Sequence, residues 1–599
     1  MLRNGDIELC SIFYSALRTQ HSALFWGACI LETANDIPGA PLAPDPAVPP
    51  AATSDGKPEQ KSGLGAKIQK AGAVVLVAHL CVRFAGLVGK NIIPNYYDLN
   101  GNFVVTDVFA VVNGMINFAF LIGEQCLAPS YLPVFAKATT EHGETRAWRY
   151  TSILFNLQFL FLLVLVGSII VFPEFYTGLL TKWNNGDPAT ASRHALALKM
   201  LPYAAPCLIG MSLASLTYVV LNGYKEFFFA AFGDTVLKLS IVGGAALGCV
   251  LTQWQAGNAD WRYIAGGAVA GGMLKLATHL FALRWKRLRL YQFSIDWKDP
   301  YVKAFFVLVA PLLAGVVVSQ VRDIIIRREI TAGANLATYY DLGQGLIGSI
   351  QFLVPYTLSI ALLPYFCDLS AKDDNAQLGS VLTTVIRMLV WFFVPVTIAF
   401  AAAAHPLSII LFSGKELKSG QLQFVALVTQ IYALQLPFAA IEMMVLQAFF
   451  SSKRMVAPTL AGFVFSALSA TVTYIGVEYK FVSTAEGVLM LAALSLVVAR
   501  VLKSLLLVAM LRSSVPVLPV AETTTFALRV FIAAGAAAAA AYAATLPFHG
   551  DSRYKQIAKA GTIGVAAFGV FIAVSLLLQL EEPRLCLRWT QEKLRRRKK

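Results

Sequence analysis

Long apolar runs separated by short polar stretches fill this chain from about residue 70 to residue 580. Each run approaches the roughly 20 residues that cross the hydrocarbon core of a bilayer. Lipid offers the backbone no hydrogen-bonding partners, so such runs must be helices or strands of a closed barrel. They lack the period-two alternation of barrel strands, which selects helices. The pattern predicts about 14 spans, with boundaries good to a few residues. The first half holds 70–94, 103–123, 146–173, 195–221, 227–252 and 262–284; the second holds 303–326, 338–364, 380–403, 422–449, 455–476 and 486–511. A final pair, 524–546 and 557–579, has no counterpart in the first half. The expectation is an all-α polytopic membrane protein, built as two six-helix bundles in parallel repeat plus a C-terminal helix pair.

Two echoes carry the repeat. Leu132-Pro133-Val134-Phe135-Ala136-Lys137 returns as Leu363-Pro364-Tyr365-Phe366-Cys367-Asp368, and Leu221-Asn222-Gly223-Tyr224-Lys225 returns around Phe450-Ser451-Ser452-Lys453. Both lie at the ends of long apolar runs and keep the same order. They also fall at corresponding ends of their spans, so the halves run parallel rather than inverted. Paired halves in a membrane protein point to a transporter with its substrate site between them. The expected divisions are a disordered extension over 1–65, bundles over 66–285 and 286–515, the helix pair over 516–582 and a basic tail over 583–599.

Composition agrees with the pattern. The chain is 57% hydrophobic and 14% charged, against about 25% charged in soluble domains, and its mean hydropathy is +0.63. The net charge of +15 reflects topology more than any nucleic-acid partner. With both termini inside, the inner loops hold Lys137, Arg146, Arg149, Lys225, Arg284, Lys286, Arg287, Arg289, Lys453, Arg454 and the closing run Arg595 to Lys599. The outer loops hold mostly isolated cations, Lys182, Arg262, Lys415, Lys418 and Lys480. This is the positive-inside bias, and it predicts a multi-pass protein with cytoplasmic termini. Residues 36–65, rich in Pro and Ala and then in charge, read as disordered.

No enzyme chemistry is legible. The eight cysteines are scattered, without a CxxC or metal-ligand spacing to a histidine, and no phosphate-binding glycine loop appears. No catalytic residue, metal or cofactor is expected, and any driving force would be a gradient, with a coupling cation as one option. The informative residues are ionisable groups inside the spans, because burying charge in lipid is costly. Arg83 lies mid-span, too deep to snorkel. Lys90, two turns on, either extends a basic stripe or marks the helix end. Asp107 opens the second span, and Glu124 closes it, where a gate and a plain helix end both fit. In the seventh span Arg322 and Asp323 precede Arg327 and Arg328. An Asp323–Arg327 pair at i,i+4 would leave Arg322 and Arg328 as surplus positive charge. Asp234–Lys238 reads as a structural pair, while Lys275, Arg387 and Glu442 read as isolated charges. Surplus buried positive charge suits an anionic substrate such as a phosphate or diphosphate.

These residues resemble a known family. Arg83-Phe84-Ala85-Gly86-Leu87, Thr106-Asp107-Val108-Phe109 and Gly123-Glu124-Gln125 running to Leu132-Pro133-Val134-Phe135 are similar to the start of the MurJ/MviN family. The resemblance continues through Pro202-Tyr203, Ser212-Leu213-Ala214-Ser215, Leu221-Asn222-Gly223, Pro311, Val318-Ser319-Gln320, Tyr339-Tyr340 and Leu362-Leu363-Pro364. It covers roughly residues 70–510. These are lipid II flippases of peptidoglycan synthesis, within the superfamily that also holds multidrug extruders. The resemblance implies movement of a polyprenyl-diphosphate-linked glycolipid from the inner to the outer leaflet of the bacterial cytoplasmic membrane by alternating access.

The family's cavity arginine falls on Arg83 and its acidic residue on Asp107. Three other family arginines fall on Gly89 with Lys90 beside it, near Ala119 and Phe120, and on Asp341-Leu342-Gly343. Substrate contacts are therefore expected from Arg83, Lys90, Asp107, Arg322 and Arg328. Glu124, Asp323 and Asp341 are the candidates for a gate or for ion coupling. The lost arginines leave a flippase for another polyprenyl-linked saccharide open as an alternative. A cation-coupled multidrug extruder is a further one, expected to favour an acidic cavity.

Overall fold

The computed structural model describes residues 84–584 except 185, 225, 287–290, 352–361, 363–365, 367–368, 371, 453, 455, 549 and 551. Arg83 and both expected termini lie outside the described residues. So do the extension over 1–65 and most of the second copy of the first echo. Among the described residues there is no strand; one isolated bridge joins Leu99 and Asn102.

The N-terminal lobe holds α1 (84–96), α2 (Val104–Val171), α3 (Pro173–Leu180), α4 (Ala191–Ala204), α5 (Cys207–Gly223), α6 (Phe227–Leu251) and α7 (Trp261–Lys286). Helix α8 (Pro300–Ile330) leads into the C-terminal lobe, with α9 (Leu336–Gln351), α10 (Asn375–Ala402), α11 (Ala404–Phe412), α12 (Ser419–Ala433), α13 (Leu436–Ser451), α14 (Val456–Glu478) and α15 (Ala485–Arg512). Helices α16 (Val520–Ala543) and α17 (Arg553–Leu577) close the chain.

By length and apolarity, 8 helices can each span a membrane, or up to 11 spans if each bent pair is one. Those eleven match eleven of the expected runs. The other three, 70–94, 103–123 and 338–364, run over residues that are not fully described, so the expected fourteen stands here at eleven. The bent pairs break by 45° between Ala204 and Cys207 and by 41° between Ala433 and Leu436. Pro206 lies within the first break and Pro437 just after the second. Proline removes a helix hydrogen bond and crowds the preceding turn, so both halves bend at the same place in the repeat.

The expected polar connection between the second and third spans is helical almost throughout. Helix α2 carries non-helical dihedrals only at Gly143, with φ 79° and ψ 173°. That left-handed region favours glycine. The chain doubles back there: Tyr131 stacks on Tyr150 at 5.4 Å and shares a 2.6 Å hydrogen bond with Thr151.

Apolar packing divides between the lobes. One cluster joins Val108, Met200, Leu208, Ile241 and Ile264 of the N-terminal lobe. A second, around Tyr131 and Tyr150, takes in Tyr301, Val302 and Phe305 at the start of α8. The far end of α8 contributes Ile326 and Ile330 to the C-terminal cluster, with Tyr340, Leu389 and Val428. Helix α8 is therefore shared by both lobes, and its two parts meet at 46°.

The last two helices pack on α10, where Trp391 Nε1 donates to Ser575 Oγ at 3.3 Å. Arg387, expected to be isolated, bonds Glu582 at 2.8 Å and lies 4.9 Å over the Phe526 ring. It ties the helix pair to the bundle.

Candidate functional site

A cavity lies between the lobes. Ala110, Asn113, Gly114 and Asn117 of α2 face Gln320, Asp323, Ile324 and Arg327 of α8 and Asp341 of α9 around a cavity of about 120 Å³. The wall mixes amides and charges with apolar surface, as ligand sites do.

The cation that reaches this wall is Arg327, not the pair expected from spacing. Asp323 bonds its neighbour Arg322 at 2.9 Å instead of Arg327 one turn on. Among the described residues Arg327 forms no ion pair, and a Cβ placed on Gly114 would sit 3.5 Å from its Nη1. Arg322 also reaches Ser466 at 3.5 Å. Arg328 points elsewhere: it donates to the Gly178 carbonyl at 3.4 Å and lies 3.6 Å from Glu329.

Lys90 and Asp341 meet across the lobes. Lys90 Nζ lies 2.7 Å from Asp341 Oδ2 and donates to the Asp341 carbonyl at 2.6 Å. The sequence offered each residue separately; 251 positions separate them.

Asp107 lies away from the cavity wall, 1% exposed, in a second contact between the lobes. Its Oδ2 accepts from Arg193 Nε at 2.7 Å and from the Asn335 amide at 2.8 Å. Its Oδ1 accepts from the Thr338 amide at 2.8 Å and the Thr338 hydroxyl at 2.6 Å. A helix start leaves its first amides without partners, and here a carboxylate from the other lobe caps α9. Arg193, also 1% exposed, completes the knot by donating to Asn102 and Asn335 side chains at 2.7 Å each. Neither Arg193 nor Asn335 stood out in the sequence. Arg193 falls just before the expected fourth span, where a cation reads as an ordinary loop charge.

Further contacts join the lobes at the same end. Asn95 donates to the Phe412 carbonyl at 3.0 Å and accepts from the Leu417 amide at 3.1 Å. Asn91 donates to the Leu411 carbonyl at 2.6 Å. Lys182, expected to be isolated, bonds Glu329 and Glu478 at 2.5 Å each. The cavity is locked on the side of the loops around residues 97–103, 181–190 and 331–335.

Two other expectations change. Asp234 pairs with Lys275 on the neighbouring helix at 2.5 Å, so Lys275 is not isolated. Glu442 is held by Lys503 at 2.7 Å and Arg500 at 3.3 Å. Asp323 and Asp341, offered to a gate or to ion coupling, and Asp107, offered to the substrate, are thus each paired with a cation of the protein. Glu124 lies within α2, and its side chain is outside the described residues. Among the described residues, no group of three or more His, Cys, Asp or Glu is placed to hold a metal.

Known proteins resemble this arrangement. The family model for the lipid II flippase MurJ matches residues 99–551. A probable lipid II flippase MurJ of Vibrio cholerae is 27% identical over 365 residues, covering 58% of this chain and 66% of that protein. One of Rhizobium meliloti is 25% identical over 344 residues, covering 56% and 62%. The chain thus spans just under two thirds of the length of these curated relatives. In solved structures, lipid II flippase MurJ in an inward closed conformation superposes with TM-score 0.66 at 18% identity, covering 84% of this chain and 98% of that one. An inward-facing multidrug transporter of the MATE family gives 0.59 at 12% identity, covering 73% and 98%. At these identities the likeness shows the fold alone, while the family match and the apolar helices make this a multi-pass bacterial inner-membrane protein. On the match over residues 99–551, the chain belongs to the MurJ lipid II flippase family.

Proposed function

We propose that this protein moves lipid II, a polyprenyl-diphosphate-linked saccharide, from the inner to the outer leaflet of the cytoplasmic membrane by alternating access. The family match over residues 99–551 carries this reading. The interlobe cavity with Arg327 on its wall supports it, because a guanidinium gives charge-assisted bonds to phosphate oxygens. The positive-inside bias sets both termini in the cytoplasm and turns the locked end outward. The structure then corresponds to a state closed to the outside. The head group would enter the cavity from the inner side while the polyprenyl tail stays in lipid. Alternation is a rocking of one lobe against the other, with no chemistry on the substrate.

Asp341 favours one second reading. It faces the cavity where the resemblance leads to an arginine and holds Lys90, so the wall carries less unpaired positive charge. A flippase for a different polyprenyl-diphosphate saccharide follows from that difference.

The test is translocation of labelled lipid II in vesicles containing the purified protein, against an O-antigen precursor as control. Lipid II should cross and the control should not. The reverse preference overturns the first reading in favour of the second. Arg83→Ala is expected to lower transport at least tenfold, with the variant reaching the membrane in normal amount. Full complementation of a flippase-depleted strain by that variant would remove Arg83 from the site.

A further inference from the structure

Lys90 and Asp341 occupy a particular depth. Lys90 lies seven residues before the loop that begins at Tyr97, and Asp341 lies five residues into α9. At 1.5 Å per helical residue, both are about 7–10 Å inward of the outer lock. Asp341 belongs to the cavity wall, so the pair ties the lobes together beside the cavity. Each partner comes from a different lobe and is 28% exposed, open enough for a competing anion to approach.

The charges around that layer are unevenly held. Asp323 is taken by Arg322 and Asp341 by Lys90. The Arg327 side chain, on the same wall, has neither a hydrogen bond nor an ion pair among the described residues and lies within electrostatic reach of Asp341. Lys238 lies within electrostatic reach of Asp341. An ammonium has three donors, and Asp341 occupies two of those on Lys90. A diphosphate has acceptors enough to bridge a guanidinium and an ammonium together.

We propose that Arg327 docks the first phosphate of a diphosphate-bearing ligand, and that Lys90–Asp341 is a latch between the lobes which the second phosphate displaces. Arg327 draws the anion in without breaking a hydrogen bond or ion pair of its side chain. The second phosphate then takes Lys90 from Asp341, and a tie between the lobes is exchanged for a tie to cargo. The ligand binds better where the latch is broken, so its binding shifts the population toward outward opening. An empty cavity keeps the latch and stays closed. This rests on the reading above that a diphosphate enters the cavity.

Hydrogen exchange on the full-length protein in nanodiscs, followed over residues 331–340, reads the outer lock directly. The Asn335 and Thr338 amides there donate to Asp107 in this closed structure. Farnesyl diphosphate is expected to raise exchange in this segment at least threefold, and farnesol to leave it unchanged. Asp341→Asn should exchange at least threefold faster without ligand, while Asp341→Glu, which keeps the carboxylate, stays slow. Arg327→Ala should bind farnesyl diphosphate at least tenfold more weakly with unliganded exchange unaltered, and Arg327→Lys should recover part of that loss. Farnesyl diphosphate that binds without changing exchange, or Asp341→Asn exchanging as slowly as the native protein, overturns the latch and leaves the flippase reading standing. Equal binding by Arg327→Ala, or no binding by the native protein, overturns the docking role. Opening by farnesyl diphosphate without lipid II translocation sinks the lipid II reading alone.

Discussion

Replacing Asp107 with asparagine is expected to open the outer lock and to destabilise the protein by about 3–5 kcal/mol, the usual cost of removing one partner from a buried ion pair. Asparagine keeps the shape while removing the charge and one acceptor oxygen. Four donors converge on this carboxylate: Arg193 Nε, the amides of Asn335 and Thr338, and the Thr338 hydroxyl. An amide has one acceptor oxygen and two donors of its own, so it cannot receive them all. Arg193 would be left charged and buried against a neutral partner, and the first amides of α9 would lose their cap. Because Asp107 and Arg193 belong to one lobe and Asn335 and Thr338 to the other, the loss falls on the closed state more than on either lobe. Thermal unfolding in detergent should show a lower midpoint, and exchange over 331–340 should rise without ligand. A midpoint and an exchange rate equal to those of the native protein would show that Asp107 does not hold the lobes together.

The second large effect is expected at Gly210. A Cβ there would lie 2.3 Å from the backbone carbon of Gly272 and 2.4 Å from its oxygen. The obstacle is main chain rather than a flexible side chain, so helices α5 and α7 must move apart. Small residues let helix backbones approach in this way within membranes. The same device recurs between α6 and α7, where a Cβ on Gly244 would meet the Tyr263 oxygen at 2.3 Å. Gly210→Ala should cost about 1–3 kcal/mol, the range for overpacking a well-filled interior, and Gly210→Val more. The readout is the thermal midpoint together with the amount of folded protein recovered from membranes. Gly243→Ala serves as control, since nothing lies within 4 Å of its Cβ position. Equal midpoints for Gly210→Ala and Gly243→Ala would refute the close crossing.

Much of the architecture was legible before any coordinates. Long apolar runs dictate spans because backbone groups in lipid must satisfy themselves, and the proline-marked breaks near residues 205 and 434 lie within two such runs. Charged residues within spans were recognisable as unusual for the same reason. The mistakes share one cause. Asp323 was expected to choose Arg327 at helical spacing and instead chose Arg322. Lys275, Arg387 and Glu442 looked isolated because their partners, Asp234, Glu582, Arg500 and Lys503, lie on other helices. Arg193 escaped notice because its value depends on Asp107, 86 positions away.

The sequence by itself thus determined the helices, their membrane character, the doubled plan and the family. These follow from local hydropathy, backbone chemistry and short motifs in order. Only the tertiary structure decided which charge answers which. Ion pairing acts over a few ångströms in space, and sequence separation says little about that distance. It placed Asp107 in a lock between the lobes, Arg327 on the cavity wall and Lys90 against Asp341. Folding, not spacing, decided which of the described charges tie the lobes together, which pair within one lobe and which line the cavity.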